Sequence, residues 1–266
     1  MTTTSLDVRA NVWPHGALRE WLERHDVAVY TASLRADADT FAHALDTLDA
    51  SERERYARHL NTEVARRFAV GRLRLREMLG TALGIAPADV PIRIGLHGKP
   101  AFDHALQSSG LRFSLAHCED LLVVALTRAG EIGIDLERVR PIERWTRVAE
   151  RVFSADDREL LGHEVSAGVP PEAAFFRYWC RTEAELKAIG SGISGLTAHR
   201  EGWRPVGLRI AELPDLPLPD DHRADELRYQ SAVAICAARD SSVVQRTMDA
   251  DQPRRPSITP TSPSTA

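Results

Sequence analysis

Two consecutive apolar segments constrain the fold of this chain most strongly. The first covers residues 121–126, and the second is Gly133-Ile134-Asp135-Leu136-Glu137, after a short turn at residues 128–130. Short apolar or alternating runs bounded by turn residues are typical of strands rather than helices. The sequence therefore predicts two successive strands here.

The second of these strands presents two carboxylates. Side chains two positions apart on a strand point to the same face, so we expect Asp135 and Glu137 side by side, with Ile134 and Leu136 in the core. Like charges so close are unfavourable unless water or a cation separates them. The pair suits Mg²⁺, but a solvated strand end with two ordinary acids explains the same pattern, and both interpretations stay open here.

Length and charge limit the possible classes of protein. A chain of 266 residues with 43% hydrophobic residues is expected to form one large or two small domains with a substantial core. The formal net charge of −4 argues against non-specific nucleic-acid binding by the whole molecule. It does not exclude a local basic pocket.

Cysteine content and terminal sequence point to a compartment. The three widely spaced cysteines, Cys118, Cys180 and Cys236, fit reduced thiols better than a disulfide framework. The first residues lack the pattern of a signal peptide, and no run reaches the length of a membrane span. We therefore expect a soluble, cytoplasmic protein that does not associate with membranes.

The first half of the chain is predicted to contain two main helices. Asp49 or Ser51 is expected to cap the first, and the second covers residues 62–79, with Val64 and Phe68 on its apolar face and Gly80 at its end. Five arginines lie between residues 66 and 76. They suggest a nucleic-acid interface, a solvated helix face or contacts with a phosphorylated small molecule; of these, the solvated face is favoured over DNA binding.

Three further segments carry candidate binding residues. A strand at residues 90–94 leads into the turn His97-Gly98-Lys99-Pro100, where Lys99 is expected to be exposed. His117 follows a strand at residues 111–116. A helix covering residues 173–189 and ended by Gly190 places Glu183 and Lys187 on one face. Such a pair is usually a weak exposed salt bridge.

Four of these segments occur together in one order. They are Gly98-Lys99-Pro100, residues 113–117, Gly133-Ile134-Asp135-Leu136-Glu137, and residues 179–188 followed by Gly190. The set resembles the motifs of the 4'-phosphopantetheinyl transferases of the surfactin-synthetase-activating type, over residues 27–240.

The resemblance implies an α+β fold with two similar α/β subdomains, a pseudo-dimer with the active site between them. The first subdomain would cover residues 27–130 and the second residues 131–246. Residues 1–26 would be an N-terminal extension and residues 247–266 a disordered tail, which agrees with the tail's Pro, Ser and Thr content.

The resemblance also implies an activity. It is the Mg²⁺-dependent transfer of 4'-phosphopantetheine from coenzyme A to a serine of an acyl or peptidyl carrier protein. The enzyme would act as a monomer, and nucleic acid and membranes would not be partners. A non-catalytic homologue that binds coenzyme A or a carrier domain is the alternative.

Site residues follow from the matching motif positions. The resemblance implies Mg²⁺ ligands at Asp135, Glu137 and Glu183, and catalytic roles for Glu183 and Lys187. The positions that it assigns to coenzyme A are Arg55, Arg67, Lys99, Ser114, Ala116, His117 and Lys187. Ala116 stands where the family has a serine, and Thr182 where it has a lysine beside the catalytic glutamate. Activity is expected to survive both changes.

The loop after Lys187 is a candidate for carrier docking. Ile193 and Leu196 lie on a glycine-rich segment and are expected to be exposed beside the site. Packing of these two residues against the second-half sheet is almost equally compatible with the sequence.

Overall fold

A computed structural model describes residues 6–10, 22–95, 98–214, 216–222 and 228–236. Most of the N-terminal extension, His97 and the whole predicted tail lie outside these residues. No helix of the described part of the chain is long and apolar enough to cross a membrane.

Nine strands are present in the described residues. They are β1 (Val8–Ala10), β2 (Val27–Ser33), β3 (Ile92–Ile94), β4 (Pro100–Phe102), β5 (Arg112–Cys118), β6 (Leu121–Thr127), β7 (Glu131–Arg138), β8 (Leu208–Glu212) and β9 (Tyr229–Cys236). A four-stranded sheet has the order β1-β2-β6-β5, and a three-stranded sheet has the order β7-β9-β8, while β3 and β4 form a hairpin. The two predicted successive strands, β6 and β7, therefore belong to different sheets.

Helices cover the outer faces of these sheets. They are α1 (Ala38–Thr47), α2 (Ala50–Ala57), α3 (Thr62–Leu83), α4 (His104–Ser108), α5 (Trp145–Val152), α6 (Ala155–Ser166), α7 (Pro171–Ile189) and α8 (Leu196–Arg200). Asp49 caps α2 through a capping box with Glu52, as the sequence suggested. Gly190 ends α7 in the left-handed conformation.

Helix α3 differs from its prediction in two respects. It continues past Gly80 to Leu83, and Gly84 is the left-handed residue that ends it. Gly80 has a different role, because a Cβ there would lie 2.9 Å from the carbonyl oxygen of Ile85. Val64, predicted to face the core, is exposed.

Two apolar clusters organise the core. One lies between α3 and the four-stranded sheet and includes Leu73, Leu79 and Phe102. The other joins the two sheets, with Val29 and Val123 from the first sheet packed in the same cluster as Ile134 and Val233 of the second. The predicted α+β class is confirmed, whereas the similarity of the two halves and the proposed domain boundaries stay predictions.

Candidate active site

The site begins with the close packing of α7 on β7 at Gly133. A Cβ at this position would overlap the carbonyl oxygen of Ala184 and lie 2.8 Å from the Cβ of Lys187. Real Cβ atoms do not approach backbone so closely, so only glycine permits this contact. The result is that the polar end of β7 lies against the helix turn that carries Glu183 and Lys187.

Asp135 and Lys187 meet across this contact. The Nζ of Lys187 donates to Oδ1 of Asp135 at 2.7 Å and to the carbonyl oxygen of Ile134 at 3.0 Å. The other carboxylate oxygen, Oδ2 of Asp135, is buried and has no hydrogen-bond partner among the described residues. The buried thiol of Cys180 interacts with the Asp135 carboxylate, and burial together with this carboxylate raises the pKa of the thiol. A further ligand on Oδ2 would offset the remaining cost of burying that oxygen.

Two more carboxylates lie near this pair. Burial raises the pKa of Glu183, and the negative charges of Asp135 and Glu137 act in the same direction, while Lys187 opposes them. Glu137 is held by Arg140, whose Nη1 donates to Oε2 at 2.9 Å. The three acids named from the sequence therefore share one electrostatic environment.

The three acids Asp135, Glu137 and Glu183 offer carboxylate oxygens, the donors that Mg²⁺ prefers. Within the described residues, no three carboxylate, imidazole or thiol side chains form a ready-made metal centre. Two features nevertheless fit a divalent cation. One is the Oδ2 atom of Asp135, which lacks a hydrogen bond, and the other is the burial and repulsion by Asp135 and Glu137 that raise the pKa of Glu183. A cation would bind the oxygen and relieve the repulsion. The residues present fit the ion, and the ligand assignment stays a prediction.

Lys99 does not lie exposed at the tip of a turn, as the sequence suggested. It is half-buried, and its Nζ donates to the carbonyl oxygens of Ile132 at 2.6 Å and Lys187 at 2.8 Å. Burial lowers the pKa of Lys99 to about 8, with Lys187 and Arg112 contributing and Glu131 opposing. In this arrangement its donors are directed at the protein backbone rather than at a phosphate.

His117 and the residues before it on β5 differ in their exposure to solvent. His117 itself is exposed, and partial desolvation together with the charges of Lys187 and Arg67 lowers its pKa. Ser114 and Ala116 are buried, with the Ser114 hydroxyl accepting from the backbone N–H of Ile134 at 3.3 Å and Ala116 within the shared core. His117 thus faces the site, and the arrangement gives no support to phosphate contacts from Ser114 or Ala116.

The two predicted nucleotide arginines have different surroundings. Arg67 donates from Nε to Oδ1 of Asp120 at 2.8 Å, which raises its pKa. Arg55 is exposed, and its guanidinium carbon lies 5.3 Å from the ring centre of Phe68. Arg67 is close enough to act on His117, so both lie beside the site, whereas Arg55 lies on the outer part of α2.

The row of arginines on α3 is not a solvated face throughout. Arg72 and Arg76 are buried and form ion pairs with Glu52 at 3.4 and 3.0 Å. Arg66 and Arg67 share Asp120. Because these charges are already paired, the nucleic-acid hypothesis for this helix loses its main support.

A buried ionic cluster behind α7 was missed by the sequence analysis. Arg204 pairs with Glu185 at 2.9 Å and with Asp157 at 2.8 Å, and His199 lies 3.2 Å from Glu185. Thr182 contacts His199 at 3.1 Å, so its side chain faces this cluster. Nothing in the sequence pattern marks a contact between residues so far apart.

The predicted docking loop is partly internal. Leu196 packs against a helical core cluster that includes Phe153 and Phe175. Leu196 is therefore partly buried rather than an open contact surface, but it packs against helices and not against the second-half sheet named in the packing alternative. The side chain of Ile193 lies outside the description.

Two protein families match the chain. Residues 131–215 match the 4'-phosphopantetheinyl transferase superfamily, and residues 34–129 match the 4'-phosphopantetheinyl transferase N-terminal family. The first segment contains Asp135, Glu137, Glu183 and Lys187. The second contains the candidate basic residues of the first half.

Individual proteins give the same result. The chain is 39% identical over 153 residues to the 4'-phosphopantetheinyl transferase HetI of Nostoc sp., a match that covers 56% of this chain and 62% of that protein. It is 32% identical over 148 residues to the putative 4'-phosphopantetheinyl transferase slr0495 of Synechocystis sp., covering 56% of this chain and 59% of that protein. These matches span less than two thirds of either relative.

A third match is longer. The chain is 30% identical over 177 residues to the 4'-phosphopantetheinyl transferase psf-1 of Bacillus pumilus, which covers 66% of this chain and 72% of that protein. The resemblance read from the four sequence motifs is confirmed at the level of the family. Each of these relatives is named as a transferase, and the chain belongs to the 4'-phosphopantetheinyl transferase superfamily.

Proposed function

We propose that this chain transfers 4'-phosphopantetheine from coenzyme A to a serine hydroxyl of an acyl or peptidyl carrier protein. The observation that carries the proposal is the meeting of Asp135 of β7 with Glu183 and Lys187 of α7 at one place in the fold. Three acids and an ammonium group suit the diphosphate of coenzyme A when a divalent cation is included.

The reaction requires one bond to form and one to break. The serine oxygen forms a bond to the phosphorus next to the pantetheine, and the bond from that phosphorus to the bridging oxygen breaks, releasing adenosine 3',5'-bisphosphate. Mg²⁺ held by Asp135, Glu137 and Glu183 would neutralise charge on the diphosphate. The chain's own residues then have to move one proton and stabilise the leaving phosphate.

Glu183 is proposed to take the proton of the serine hydroxyl, directly or through an ordered water. Burial and two acidic neighbours raise its pKa, which makes it a stronger base than an ordinary glutamate. Lys187 lies one helical turn further on and can donate to a phosphate oxygen as negative charge develops. His117, whose pKa is lowered by desolvation and by the charges of Lys187 and Arg67, is proposed to contact coenzyme A together with Arg67. Arg55 is proposed to reach the nucleotide part of coenzyme A.

A mass-spectrometric assay tests the proposal. An apo carrier protein incubated with the chain, coenzyme A and Mg²⁺ should gain the mass of one phosphopantetheine group. Binding of coenzyme A or carrier without any mass gain across peptide-synthetase, polyketide and fatty-acid carriers would favour the alternative, a non-catalytic binding homologue.

The same panel of carriers tests the finer assignment. We propose the surfactin-synthetase-activating type because all four sequence motifs occur in the order of that group. Modification of peptide-synthetase carriers is then expected. Exclusive modification of fatty-acid carriers would contradict it.

Two further properties are proposed. The chain supplies residues from both halves to one site, which supports action as a monomer, and light scattering at assay concentration tests this. The chain has three widely spaced cysteines, Cys118, Cys180 and Cys236, and this odd number supports a reducing location such as the cytoplasm. Fractionation of cells that express the natural protein tests that location.

A further inference from the structure

Lysine is rare in this chain. Two of its 34 basic residues are lysines, Lys99 and Lys187, and the others are arginines. Both lysines lie at the candidate active site, and the Nζ of Lys99 donates to the carbonyl oxygen of Lys187. An ammonium group is compact and carries three donors on one nitrogen, whereas a guanidinium is a wide planar fork. In both Lys99 and Lys187, the single Nζ atom donates to two oxygen acceptors.

The acceptors of the two lysines form a regular pattern on β7. Lys99 takes the carbonyl oxygen of Ile132, and Lys187 takes that of Ile134, two residues further along the same strand. Carbonyl groups two residues apart on a strand point in the same direction. Both amines thus bind one edge of β7.

The second acceptor of Lys99 is a helix end. The carbonyl oxygen of Lys187 lies in the last turn of α7, where carbonyl groups lack partners within the helix. The N–H of Gly190 donates to the carbonyl oxygen of Leu186. The amine of Lys99 donates to the next carbonyl oxygen along the helix, that of Lys187. A cation at a helix C-terminus is also favoured by the helix dipole.

We propose that Lys99 is a positioning residue that ties the last turn of α7 to β7 and thereby holds Lys187 against Asp135. Gly133 fixes how closely the helix approaches the strand, and Lys99 fixes its position along the strand. A shift of the helix end would lengthen the contact of Lys187 with Asp135, now 2.7 Å. The catalytic consequence rests on the proposed function, whereas the structural role does not.

This role differs from phosphate binding in its need for charge. The partners of Lys99 are neutral carbonyl groups, and a neutral amine still has two N–H donors. Burial lowers the pKa of Lys99 to about 8, and loss of its proton above that pH would still leave donors for both backbone contacts.

The first test needs no substrate. In protein labelled selectively at lysine, wild type gives NMR signals from two lysine side chains. Lys99→Met should leave one, that of Lys187, shifted in its side-chain resonances. The matched control is Arg93→Met in the same hairpin, since Arg93 bonds to Phe102 and Gln107 and not to β7 or α7. An unmoved Lys187 signal in a folded Lys99→Met variant would overturn the proposal.

The second test separates positioning from phosphate binding by kinetics. With a carrier substrate, Lys99→Met and Lys99→Arg should both lose roughly tenfold or more in kcat, with KM for coenzyme A changed by less than about threefold. A phosphate ligand predicts the opposite, because arginine binds phosphate well and methionine does not. Near-normal KM and kcat in Lys99→Arg, with a raised KM in Lys99→Met, would therefore refute positioning.

The two tests also separate this inference from the proposed function. Absence of transfer by wild type would reject the function while the NMR comparison still decides the role of Lys99. If Lys99→Met does not fold, Lys99→Arg tests the proposal alone. Shifted Lys187 signals and a reduced kcat in Lys99→Arg would support positioning, whereas unmoved signals and near-normal kinetics would refute it.

Discussion

The ammonium group of Lys187 lies 2.7 Å from Oδ1 of Asp135, so a cation from α7 and an anion from β7 form one pair across the site. The partner oxygen Oδ2 is buried without a hydrogen bond in the described structure. Asp135 is thus only partly satisfied by the protein, and the proposed divalent cation would supply the further ligand of Oδ2.

The acids are expected to be essential for turnover. Asp135→Ala and Glu183→Gln should each nearly abolish transfer, because the diphosphate loses its counter-charge and the serine its base. Glu137→Ala should cost less, since water can replace one ligand of an octahedral ion. The measurement is the rate of carrier mass gain, with Asp156→Asn on the exposed start of α6 as control. Undiminished wild-type turnover in excess chelator would contradict this prediction.

Cation binding should depend on pH through Glu183. Its pKa is raised above the ordinary value of 4.5, so a proton competes for this carboxylate at higher pH than usual. Affinity for Mg²⁺ should rise with pH through the raised pKa and then level off. Calorimetric titration with Mg²⁺ at several pH values measures it, and Glu183→Gln should flatten the dependence. An identical pH dependence in that variant would show that another group is responsible.

Gly133 should be intolerant of any side chain. Gly133→Ala places a methyl group into the backbone of α7, and we expect a loss of about 3 kcal/mol or more in the free energy of unfolding. Gly162→Ala is the matched control, because no atom lies within 4 Å of the added Cβ and the residue is inside α6. That change should stabilise the protein by about 0.5–1 kcal/mol. Denaturant unfolding measures both, and equal effects would contradict the close approach.

The ionic cluster behind α7 should stabilise the fold through pairing. Arg204→Met leaves Glu185 buried without its guanidinium partner and should cost about 3–5 kcal/mol. The double change Glu185→Leu with Arg204→Met should cost much less than the sum of the single changes. Arg58→Met, which breaks an exposed pair with Glu54, should cost no more than about 1 kcal/mol. Additive effects of the two buried changes would show that they do not interact.

Stability should also change with pH because of Lys99. Its folded pKa of about 8 lies below the model-compound value of 10.5, so between these values the unfolded chain binds more protons. The free energy of unfolding should therefore rise as pH increases from about 8 to 10.5, and Lys99→Met should remove this part of the rise. The measurement is denaturant unfolding of both proteins across that range. If the free energies of unfolding of the two proteins changed in parallel with pH, the pKa of Lys99 would not be lowered in the folded state.

The sequence predicted local structure well, for physical reasons, whereas the roles of the acidic site residues stay predictions. Alternation in β7 depends on neighbours in the chain, and so do the cap at Asp49 and the Glu183–Lys187 spacing. Lys99 was predicted wrongly as exposed, because its acceptors are backbone carbonyl groups 33 and 88 residues away. Backbone acceptors leave no mark in a residue pattern.

Thr182 shows an error of a different kind. It was taken to lie beside Glu183 because the two are adjacent in sequence, yet adjacent residues on a helix do not face each other. The side chain of Thr182 contacts His199 in the buried cluster, on another side of α7 from the site. A lysine at position 182 would therefore place its positive charge near Glu185 rather than near Asp135 and Glu183.

The apolar cluster that joins the two sheets has a mechanical consequence. Val29 and Val123 on one side and Ile134 and Val233 on the other pack within one core, directly beneath the strand that carries Asp135. Opening the molecule like a hinge between its halves would expose this cluster to water, at a large cost in free energy. For the proposed transfer, we therefore expect coenzyme A and a carrier to bind without a hinge motion between the two sheets.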